Sequence, residues 1–382
     1  MSSLDGGHYT DSDWPTYALC TELSEVPGTN GKIAMRQYLP EFRKLLERGH
    51  DTIMIDAATA SGKSREVPSA LANFLYGKVL VMTPSTVDVK GMHNDCKWHY
   101  SCYRMGGGLR DGCTWKRAKI VFATVGLVEN WHAKHGLACF DDFDGIFFDE
   151  MDTMETDASY ALLWDAALEA RRRRAASASA RLVGASATFS EALRARLNDA
   201  CAKWICCPER PYPVQQYTLQ VPTRDQIWTA AAHVAKVSFQ RQRTSLVFLP
   251  GKYEIKLVKD MLLNSQVAEG SINTMHGDME PGELDRVKQG SWYNRIILAT
   301  SIAEKSVTIP DVDDVIDCGY SRTLLEYHDL LEISDYPSSL AVQQQRLGRA
   351  GRVKPGSCIR IANADLRNGR GLGPNSASTQ EP

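Results

Sequence analysis

The chain has 382 residues, of which 43% are hydrophobic and 24% are charged, and its formal net charge is −2. This length exceeds the range over which one hydrophobic core usually suffices, so we expect two domains of ordinary globular composition. A net charge so close to zero excludes a basic field over the whole chain, and any nucleic-acid binding must therefore come from local basic surface.

The cysteines and the apolar runs bear on the cellular compartment in which the protein is expected. Ten cysteines are scattered along the chain without a CxxC pair, which argues against a zinc knuckle and favours reduced thiols. No apolar run approaches the ~20 residues that span a bilayer, so we expect no membrane segment. Residues 1–14 are polar and acidic, unlike a secretory signal. We expect a soluble protein that is cytoplasmic or otherwise intracellular.

The first half of the chain predicts an α/β domain. Residues 1–32 are polar without a clear period and are interpreted as an N-terminal extension, and apolar residues on one face predict a helix over 36–48. Short apolar runs that alternate with helix-like segments then predict a buried parallel sheet. These runs lie at 52–55, 79–82, 120–123, 145–148 and 182–184.

The second half repeats this pattern after a linker. Three prolines within residues 207–213 exclude a helix interior or a central strand, so this segment is the predicted linker. After residue 362 the chain is rich in Gly, Asn and Ser and is predicted to be disordered. The later strand-like runs lie at 245–249, 295–299, 314–317 and 358–361. The predicted divisions are an extension 1–32, domains 33–207 and 208–362, and a tail 363–382.

A phosphate-binding loop is predicted between the first strand and the helix that follows it. Its residues are Ala58, Thr59, Ala60, Ser61, Gly62, Lys63 and Ser64. In such a loop the backbone N–H groups and the helix dipole hold phosphates, with Lys63 reaching the β- and γ-phosphates and Ser64 offering a hydroxyl to Mg²⁺. Ala60 departs from the pattern, because glycine usually allows the close backbone approach there. The alternative is an unrelated Gly-Lys-Ser turn.

Paired acids follow another predicted strand. Asp149 and Glu150 come directly after the apolar run 145–148, which places them at the carboxyl edge of a parallel sheet, where ligands bind in open α/β folds. Asp149 is expected to hold Mg²⁺, mostly through water. Glu150 is expected to orient and deprotonate an attacking water. The alternative is an acidic strand exit on the surface, which the upstream Lys63 disfavours.

Two arginines near the end of the second half are candidates for phosphate contacts. Arg349 and Arg352 follow a helix-like stretch that begins near Ser339, and their i, i+3 spacing predicts that both project from one side of a helical turn. There they would stabilise charge on a transferring phosphoryl group. The alternative is a basic surface helix against nucleic-acid backbone, which Gly348 and Gly351 disfavour as poor helix formers.

These stretches belong to a longer series of blocks, and the chain resembles superfamily 2 helicases of the DExH/DEAH type. The matching blocks are ATASGKS (58–64), TPS (83–85), ATVG (123–126), DEMD (149–152), SAT (186–188), LVFLP (246–250), ATSIAEKSVTIPDV (299–312) and QRLGRAGR (345–352). The seventh block resembles the DEAH-type RNA helicases. The segments 345–361 and 62–71 resemble helicases of positive-strand RNA viruses of the potyvirus and hypovirus kind, and both branches stay open.

The resemblance implies two tandem RecA-like parallel-sheet domains with the ATP site in the cleft between them. It also implies ATP and Mg²⁺ as cofactors and RNA as the partner, without excluding DNA. Gln345 is implied to position the water or the γ-phosphate, and Arg349 and Arg352 are implied to act as arginine fingers. The residues implied to couple hydrolysis to domain movement are Asp152, Ser186 and Thr188. The residues implied to contact the nucleic-acid backbone are Pro84, Ser85, Thr124, Gly126, Thr300 and Ser301.

The resemblance therefore predicts an ATP-dependent RNA helicase or translocase, with a protein partner as a possible source of accessory function. Asp152 stands where DExH members carry histidine, and Pro310 where many DEAH members carry aspartate, so coupling at residue 152 is in doubt. Nothing resembles the accessory C-terminal domains of larger members, which predicts a minimal core or a fragment. The alternatives are an ATP-gated RNA-binding clamp with little unwinding activity and a phosphate-loop enzyme of other chemistry, such as a kinase.

Overall fold

The chain forms two compact units in a computed structural model. The described residues are 9–84, 89, 92–93, 101–105, 108–109, 117–173, 180–291, 293–304, 309–327 and 330–363. The first unit is Ile33–Glu209, and the second unit combines, within the described residues, 9–32 with 210–363. The chain therefore passes from one unit to the other twice, once after Lys32 and once after Glu209.

The described residues contain the following strands and helices. The strands are β1 Leu19–Val26, β2 Thr52–Ala57, β3 Val79–Thr83, β4 Ser101–Met105, β5 Gly108–Leu109, β6 Ile120–Thr124, β7 Gly145–Asp149, β8 Arg181–Ser186, β9 Lys203–Cys207, β10 Val214–Gln220, β11 Ser245–Phe248, β12 Ile272–Met275, β13 Ile296–Ala299, β14 Asp314–Asp317, β15 Tyr320–Tyr327, β16 Leu330–Pro337 and β17 Gly356–Ala362. The helices are α1 Leu39–Glu47, α2 Lys63–Leu75, α3 Val125–His135, α4 Ala158–Arg173, α5 Glu191–Asp199, α6 Asp225–Gln240, α7 Lys252–Asn264, α8 Pro281–Lys288 and α9 Leu340–Leu347.

A parallel sheet with a core on each face forms the first unit. The order of its described strands is β5-β4-β6-β3-β7-β8-β2-β9, and each neighbouring pair is parallel except β4 with β5. Alternate residues face opposite layers, so Ile53 and Ile55 pack with the α1 and α2 side while Met54 packs with the α3 and α4 side. Burial on both faces explains why the central strands read as continuous apolar runs.

The second unit is built on another largely parallel sheet. Its described strands follow the order β1-β10-β17-β14-β11-β13-β12, and only β1 is antiparallel to its neighbour. Strands β15 and β16 form a separate antiparallel pair. The predicted α/β class with parallel sheets is therefore confirmed in both halves of the chain.

The N-terminal segment adds a strand that the sequence did not predict. Strand β1 pairs with β10 from Leu19 opposite Gln220 to Val26 opposite Val214. Tyr9 stacks on Trp14 with 4.9 Å between ring centroids. An edge strand is buried on fewer sides, so its apolar pattern is weak, and Leu19 is 69% exposed.

The other predicted elements lie close to their expected positions. Every predicted strand-like run overlaps an observed strand, although 245–249 and 295–299 each extend one residue beyond it. The helix expected over 36–48 is α1, which follows a 3₁₀ turn at Ala34–Gln37. The chain changes units inside the predicted linker, between Glu209 and Arg210. The domain boundaries stay a prediction, and nearly all of the predicted tail, 364–382, lies outside the described residues. Within the part of the chain that is described, no helix is long and apolar enough to cross a membrane.

Candidate active site

The predicted phosphate loop lies between the end of β2 and the start of α2. Backbone hydrogen bonds fix it on two sides. The N–H of Ala58 donates to the carbonyl of Cys207 in β9 at 2.9 Å, and the N–H of Met35 donates to the carbonyl of Ser61 at 2.9 Å. Helix α2 begins at Lys63, so its free N–H groups and positive dipole end face the loop, as a phosphate site requires.

Two residues of the loop have left-handed backbone conformations. Gly62 has φ = +95°, and a Cβ on it would lie 2.3 Å from Cγ2 of Ile33, so glycine is required there. Ala60 has φ = +63° although it carries a Cβ. The left-handed region costs a non-glycine residue about 1–2 kcal/mol. The departure noted in the sequence is therefore a strained position in the folded loop.

Ala60→Gly is expected to stabilise the first unit by about 0.5–1 kcal/mol. Removal of the Cβ relieves the strain of about 1–2 kcal/mol, while the more flexible unfolded chain offsets about 0.4–1 kcal/mol. The free energy of unfolding from denaturant titration measures the difference. Ala58→Gly is the matched control, because Ala58 has no left-handed conformation and should lose stability. Equal losses in the two variants would contradict the strain at Ala60.

The predicted phosphate-loop and acidic residues lie together in the first unit. The Nζ of Lys63 is 3.7 Å from Oε1 of Glu150, and the hydroxyl of Ser64 donates to Oδ1 of Asp149 at 2.8 Å. Lys63 and Asp149 are almost fully buried, whereas the Glu150 side chain is 34% exposed. A buried cation and a buried carboxylate therefore border a partly accessible carboxylate at the carboxyl edge of the sheet.

Glu150 is itself in a strained conformation, with φ = +52° directly after the last residue of β7. A left-handed glutamate costs about 1–2 kcal/mol, and such outliers concentrate at functional sites, where the surrounding structure holds them. The turn directs the chain into the 3₁₀ helix Met151–Glu155. This observation supports a functional role for the Glu150 side chain.

Tyr160 fixes the acidic turn and was not found from the sequence. Its hydroxyl, fully buried in α4, donates a hydrogen bond to the backbone carbonyl of Asp149. Burial, and then the charge of Asp149, raise the pKa of Tyr160 well above its ordinary value, so it stays a donor. The available signal was helical spacing, because Tyr160, Leu163 and Trp164 form the buried face of α4.

The three predicted coupling residues contact one another. The hydroxyl of Ser186, the last residue of β8, donates to Oδ1 of Asp152 at 2.6 Å. The backbone N–H of Thr188 donates back to the Ser186 hydroxyl at 3.0 Å. Asp152 thus joins the turn after β7 to the turn after β8, by a hydrogen bond that its carboxylate accepts. Their role in coupling stays a prediction.

The predicted nucleic-acid residues of the first unit lie at the ends of two neighbouring strands. Thr124, which ends β6, pairs with Thr83 at the end of β3, and Pro84 follows immediately. Gly126 lies in the first turn of α3, and the place that a Cβ would take there is open space. Ser85 lies outside the described residues. The carboxyl edge that holds the acids therefore also presents these residues.

The second unit holds the other predicted nucleic-acid residues after β13. The N–H of Thr300 donates to the carbonyl of Met275 at 3.0 Å, and Ser301 begins the 3₁₀ helix Ser301–Ala303. Ser301 is exposed. Both residues are thus held by backbone structure at the carboxyl edge of this sheet, and their contact with nucleic acid stays a prediction.

The two candidate arginine fingers do not lie on a helical turn, so that expectation is wrong. Helix α9 begins after Ser339 as predicted but ends at Leu347, and the arginines lie in the arginine turn, defined here as residues 348–352. Gly351, with φ = +68°, cannot continue a helix. Arg349 is 8% exposed and donates to the carbonyl of Glu304 at 2.6 Å, while Arg352 donates to the carbonyl of Gly348 at 3.0 Å.

A buried ion network beside the arginine turn was also missed. Arg346, 1% exposed, donates through Nη1 to Asp317 at 2.6 Å and through Nε and Nη2 to Oε1 of Glu304 at 2.8 and 2.5 Å. Burial alone lowers the pKa of this guanidinium, but the two carboxylates outweigh it and raise the pKa above its ordinary value. Glu304 therefore holds Arg346 by its side chain and Arg349 by its backbone. Gln345, on the same helix, is 7% exposed.

Comparisons with known proteins point to one group of enzymes. The family described as helicase conserved C-terminal domain matches residues 229–354. ATP-dependent RNA helicase TDRD9 of Homo sapiens is 25% identical over 92% of this chain and 29% of its own length. Probable ATP-dependent RNA helicase DHX35 of Homo sapiens is 27% identical over 85% of this chain and 50% of its own length. The chain spans half or less of the length of these relatives.

Two solved structures share the fold. The Escherichia coli DEAH/RHA helicase HrpB has a TM-score of 0.69 at 21% identity, covering 87% of this chain and 43% of that one. The structure described as E. coli DExH-box NTPase HrpB has a TM-score of 0.67 at 22% identity, covering 89% and 43%. The chain is similar to these ATP-dependent RNA helicases, and its fold is that of the two HrpB structures. The predicted superfamily and the tandem RecA-like domains are confirmed, and the likeness to viral helicases stays a prediction.

Three residues of this chain depart from the helicase pattern, and the structure shows what surrounds each of them. Asp152 replaces the usual histidine and accepts the Ser186 hydroxyl, as described above. Ala60 holds the left-handed position that glycine would fill without strain. Pro310 begins a turn, and its ring lies 3.0 Å from the place a Cβ on Gly290 would take. None of the three removes a side chain from the group around Lys63.

The residues around Asp149 fit a magnesium ion that takes some of its ligands from the protein and the others from water and phosphate. The Ser64 hydroxyl and the Asp149 carboxylate lie 2.8 Å apart and are oxygen ligands of the kind that Mg²⁺ prefers. The residues that the structure describes contain no group of three or more His, Cys, Asp or Glu placed to hold a metal. A few protein oxygens completed by water and phosphate is the usual arrangement for Mg²⁺.

Proposed function

We propose that this chain is an ATP-dependent RNA helicase or translocase core. The observation that carries the proposal is the contact of Lys63 with Glu150 beside the bond from Ser64 to Asp149, because phosphate-binding and water-activating groups meet at one sheet edge. The names of the relatives, which are ATP-dependent RNA helicases, support it. RNA is the proposed partner, and DNA is not excluded.

The proposed reaction is hydrolysis of ATP to ADP and phosphate. Backbone N–H groups of the loop and the start of α2 bind the phosphates, and Lys63 turns from Glu150 to the β- and γ-phosphates. Glu150, then without its lysine partner, accepts a proton from the water that attacks the γ-phosphorus. Ser64 and Asp149 would hold Mg²⁺, which supplies neutralising charge to the phosphates when bound.

The second unit is proposed to contribute three further groups. Gln345 positions the water or the γ-phosphate, while Arg349 and Arg352 stabilise charge on the transferred phosphoryl group. The Glu304 carbonyl, which accepts from Arg349 at 2.6 Å, holds that guanidinium in a fixed orientation. A guanidinium fixed before the reaction needs little reorganisation when charge develops, which is the property an arginine finger requires.

RNA binding is proposed to come from residues at the strand ends, among them Thr124, Gly126, Thr300 and Ser301. Contacts of this kind read the phosphate backbone, so binding should depend weakly on sequence and strongly on salt. The hydrogen bond between Ser186 and Asp152 is proposed to couple the state of the bound nucleotide, sensed at the end of β7, to the end of β8. The second candidate is an ATP-gated RNA-binding clamp, which would close on ATP but barely hydrolyse it and would unwind little.

The test is ATP hydrolysis with and without RNA, together with unwinding of a tailed duplex. Wild type should hydrolyse ATP faster with RNA present, and Lys63→Ala should lower that rate by about 10²–10³-fold, because the transition state loses a fixed positive charge. Lys134→Ala, an exposed lysine of α3, is the control and should hydrolyse ATP like wild type. Absence of hydrolysis by the wild type would contradict the proposal. ATP-dependent RNA binding with almost no hydrolysis would favour the clamp, whereas RNA-stimulated hydrolysis would rule the clamp out.

A further inference from the structure

The two segments that join the units are bonded to each other within the second unit. The first linker is residues 27–33 and the second linker is residues 207–213. The N–H of Thr29 donates to the carbonyl of Arg210 at 2.8 Å, and the N–H of Gly31 donates to the carbonyl of Pro211 at 2.7 Å. The two passages of the chain are therefore held side by side as a short ribbon.

The ribbon is too closely packed for larger residues. A Cβ on Gly28 would lie 2.4 Å from the backbone nitrogen of Pro213, and a Cβ on Gly31 would lie 2.6 Å from the hydroxyl oxygen of Tyr212. At Gly28 the contact is with backbone, so a side chain there would force the linkers apart, whereas at Gly31 the Tyr212 side chain would have to move. The glycines of the first linker thus allow direct backbone contact with the second.

In the first unit, both linkers end at the phosphate loop. The second linker begins at Cys207, whose carbonyl accepts from Ala58 at 2.9 Å. The first linker ends at Ile33, whose side chain packs against Gly62. Two residues later, Met35 donates to the carbonyl of Ser61 at 2.9 Å. A shift of the loop on nucleotide binding would therefore move both linkers.

In the second unit, the ribbon ends at the arginine turn. The N–H of Tyr212 donates to the carbonyl of Gly351 at 3.2 Å, and Gly356 donates to the carbonyl of Pro213 at 3.1 Å. A Cβ on Gly351 would lie 2.4 Å from Cγ2 of Val214 and 2.8 Å from the carbonyl oxygen of Tyr212. The turn that carries Arg349 and Arg352 is thus packed directly on the second linker.

We propose that the paired linkers position the arginine turn in response to nucleotide at the phosphate loop. This inference rests on the proposed function. A single peptide connection can rotate about its dihedral angles, whereas two hydrogen-bonded connections restrict that rotation. The continuous chain of backbone bonds from Ala58 through Cys207 and Tyr212 to Gly351 is the kind of contiguous path that can carry such coupling. Both linkers are needed, since one alone leaves the rotation free.

The test cuts the first linker in the folded protein. A site for a sequence-specific protease is inserted between Asn30 and Gly31, both exposed, and the purified chain is cleaved. Pairing of β1 with β10 keeps the released segment in place. Cleavage should lower the RNA-stimulated kcat about 10- to 100-fold, because the arginines lose their alignment, while the KM for ATP stays unchanged. The matched control is cleavage after the exposed Gly136, which should change neither constant.

Amide hydrogen exchange tests the proposal by a second measurement that does not depend on catalysis. In the uncleaved chain, ATP with Mg²⁺ should slow amide hydrogen exchange at the arginine turn as well as at the phosphate loop, and after cleavage of the linker only at the phosphate loop. Gly28→Ala, which presses the linkers apart, should act in the same direction. An unchanged kcat after cleavage, or an arginine turn that responds equally before and after it, would overturn the inference. Loss of hydrolysis in the uncleaved chain would count instead against the proposed function.

Discussion

Glu150→Gln is expected to lower the rate of ATP hydrolysis by about 10²–10⁴-fold while ATP binding is retained. Glutamine keeps the size of the side chain but cannot accept the proton of the attacking water. Lys63, whose Nζ lies 3.7 Å from Oε1 of Glu150, loses a competing carboxylate and stays available to the phosphates. The variant should therefore separate binding from chemistry, unlike Lys63→Ala, which affects both.

Single-turnover hydrolysis and equilibrium titration with a fluorescent ATP analogue measure the two properties of Glu150→Gln. Glu191→Gln, an exposed acid at the start of α5, is the matched control and should behave like wild type. Normal hydrolysis by Glu150→Gln would show that another group activates the water. Loss of analogue binding would show that Glu150 acts in binding and would equally contradict its role as base.

Arg346→Met is expected to destabilise the second unit by about 3–5 kcal/mol. Methionine fills much of the same space but leaves the carboxylates of Glu304 and Asp317 buried without their shared cation. Because Glu304 also accepts from Arg349 through its carbonyl, the turn that carries the arginines should loosen as well. The size of the effect comes from the uncompensated buried charge and not from the lost contacts alone.

Denaturant unfolding followed by a probe in the second unit measures the loss in Arg346→Met. Arg286→Met, an exposed arginine of α8, is the control and should change stability little. Adding Glu304→Gln and Asp317→Asn to Arg346→Met should recover part of the loss, because no buried charge then stays unpaired. A triple variant no more stable than Arg346→Met, or a single variant as stable as wild type, would contradict this account.

The first unit could be predicted in some detail because its signals are local. The strand before Ala58, the loop and the helix beginning at Lys63 are consecutive in the chain, and the acids come at once after an apolar run. Central strands buried on both faces read as continuous apolar runs. By contrast, β1, β9 and β12 lie at the edges of their sheets, where partial burial weakens the pattern, and these were missed.

The second unit was less predictable because its key contacts join distant residues. Arg346 pairs with Asp317, 29 positions earlier, and with Glu304, 42 positions earlier. The spacing of Arg349 and Arg352 suggested a helical turn, yet packing of Gly351 against Tyr212 of the second linker and against Val214 of β10 favours a tight turn there. No periodic pattern reports such contacts, since they depend on how strands are ordered in the sheet.

The order of the blocks, the α/β class and the identity of the groups around Lys63 can all be read from the residues, because short-range patterns encode them. Three features became evident only in the folded chain: the left-handed conformation of Ala60, the place of β1 in the second unit's sheet, and the bonds between the linkers. Those features depend on packing between segments far apart in the chain. A strained backbone angle or a paired linker leaves no periodic trace in the residues themselves.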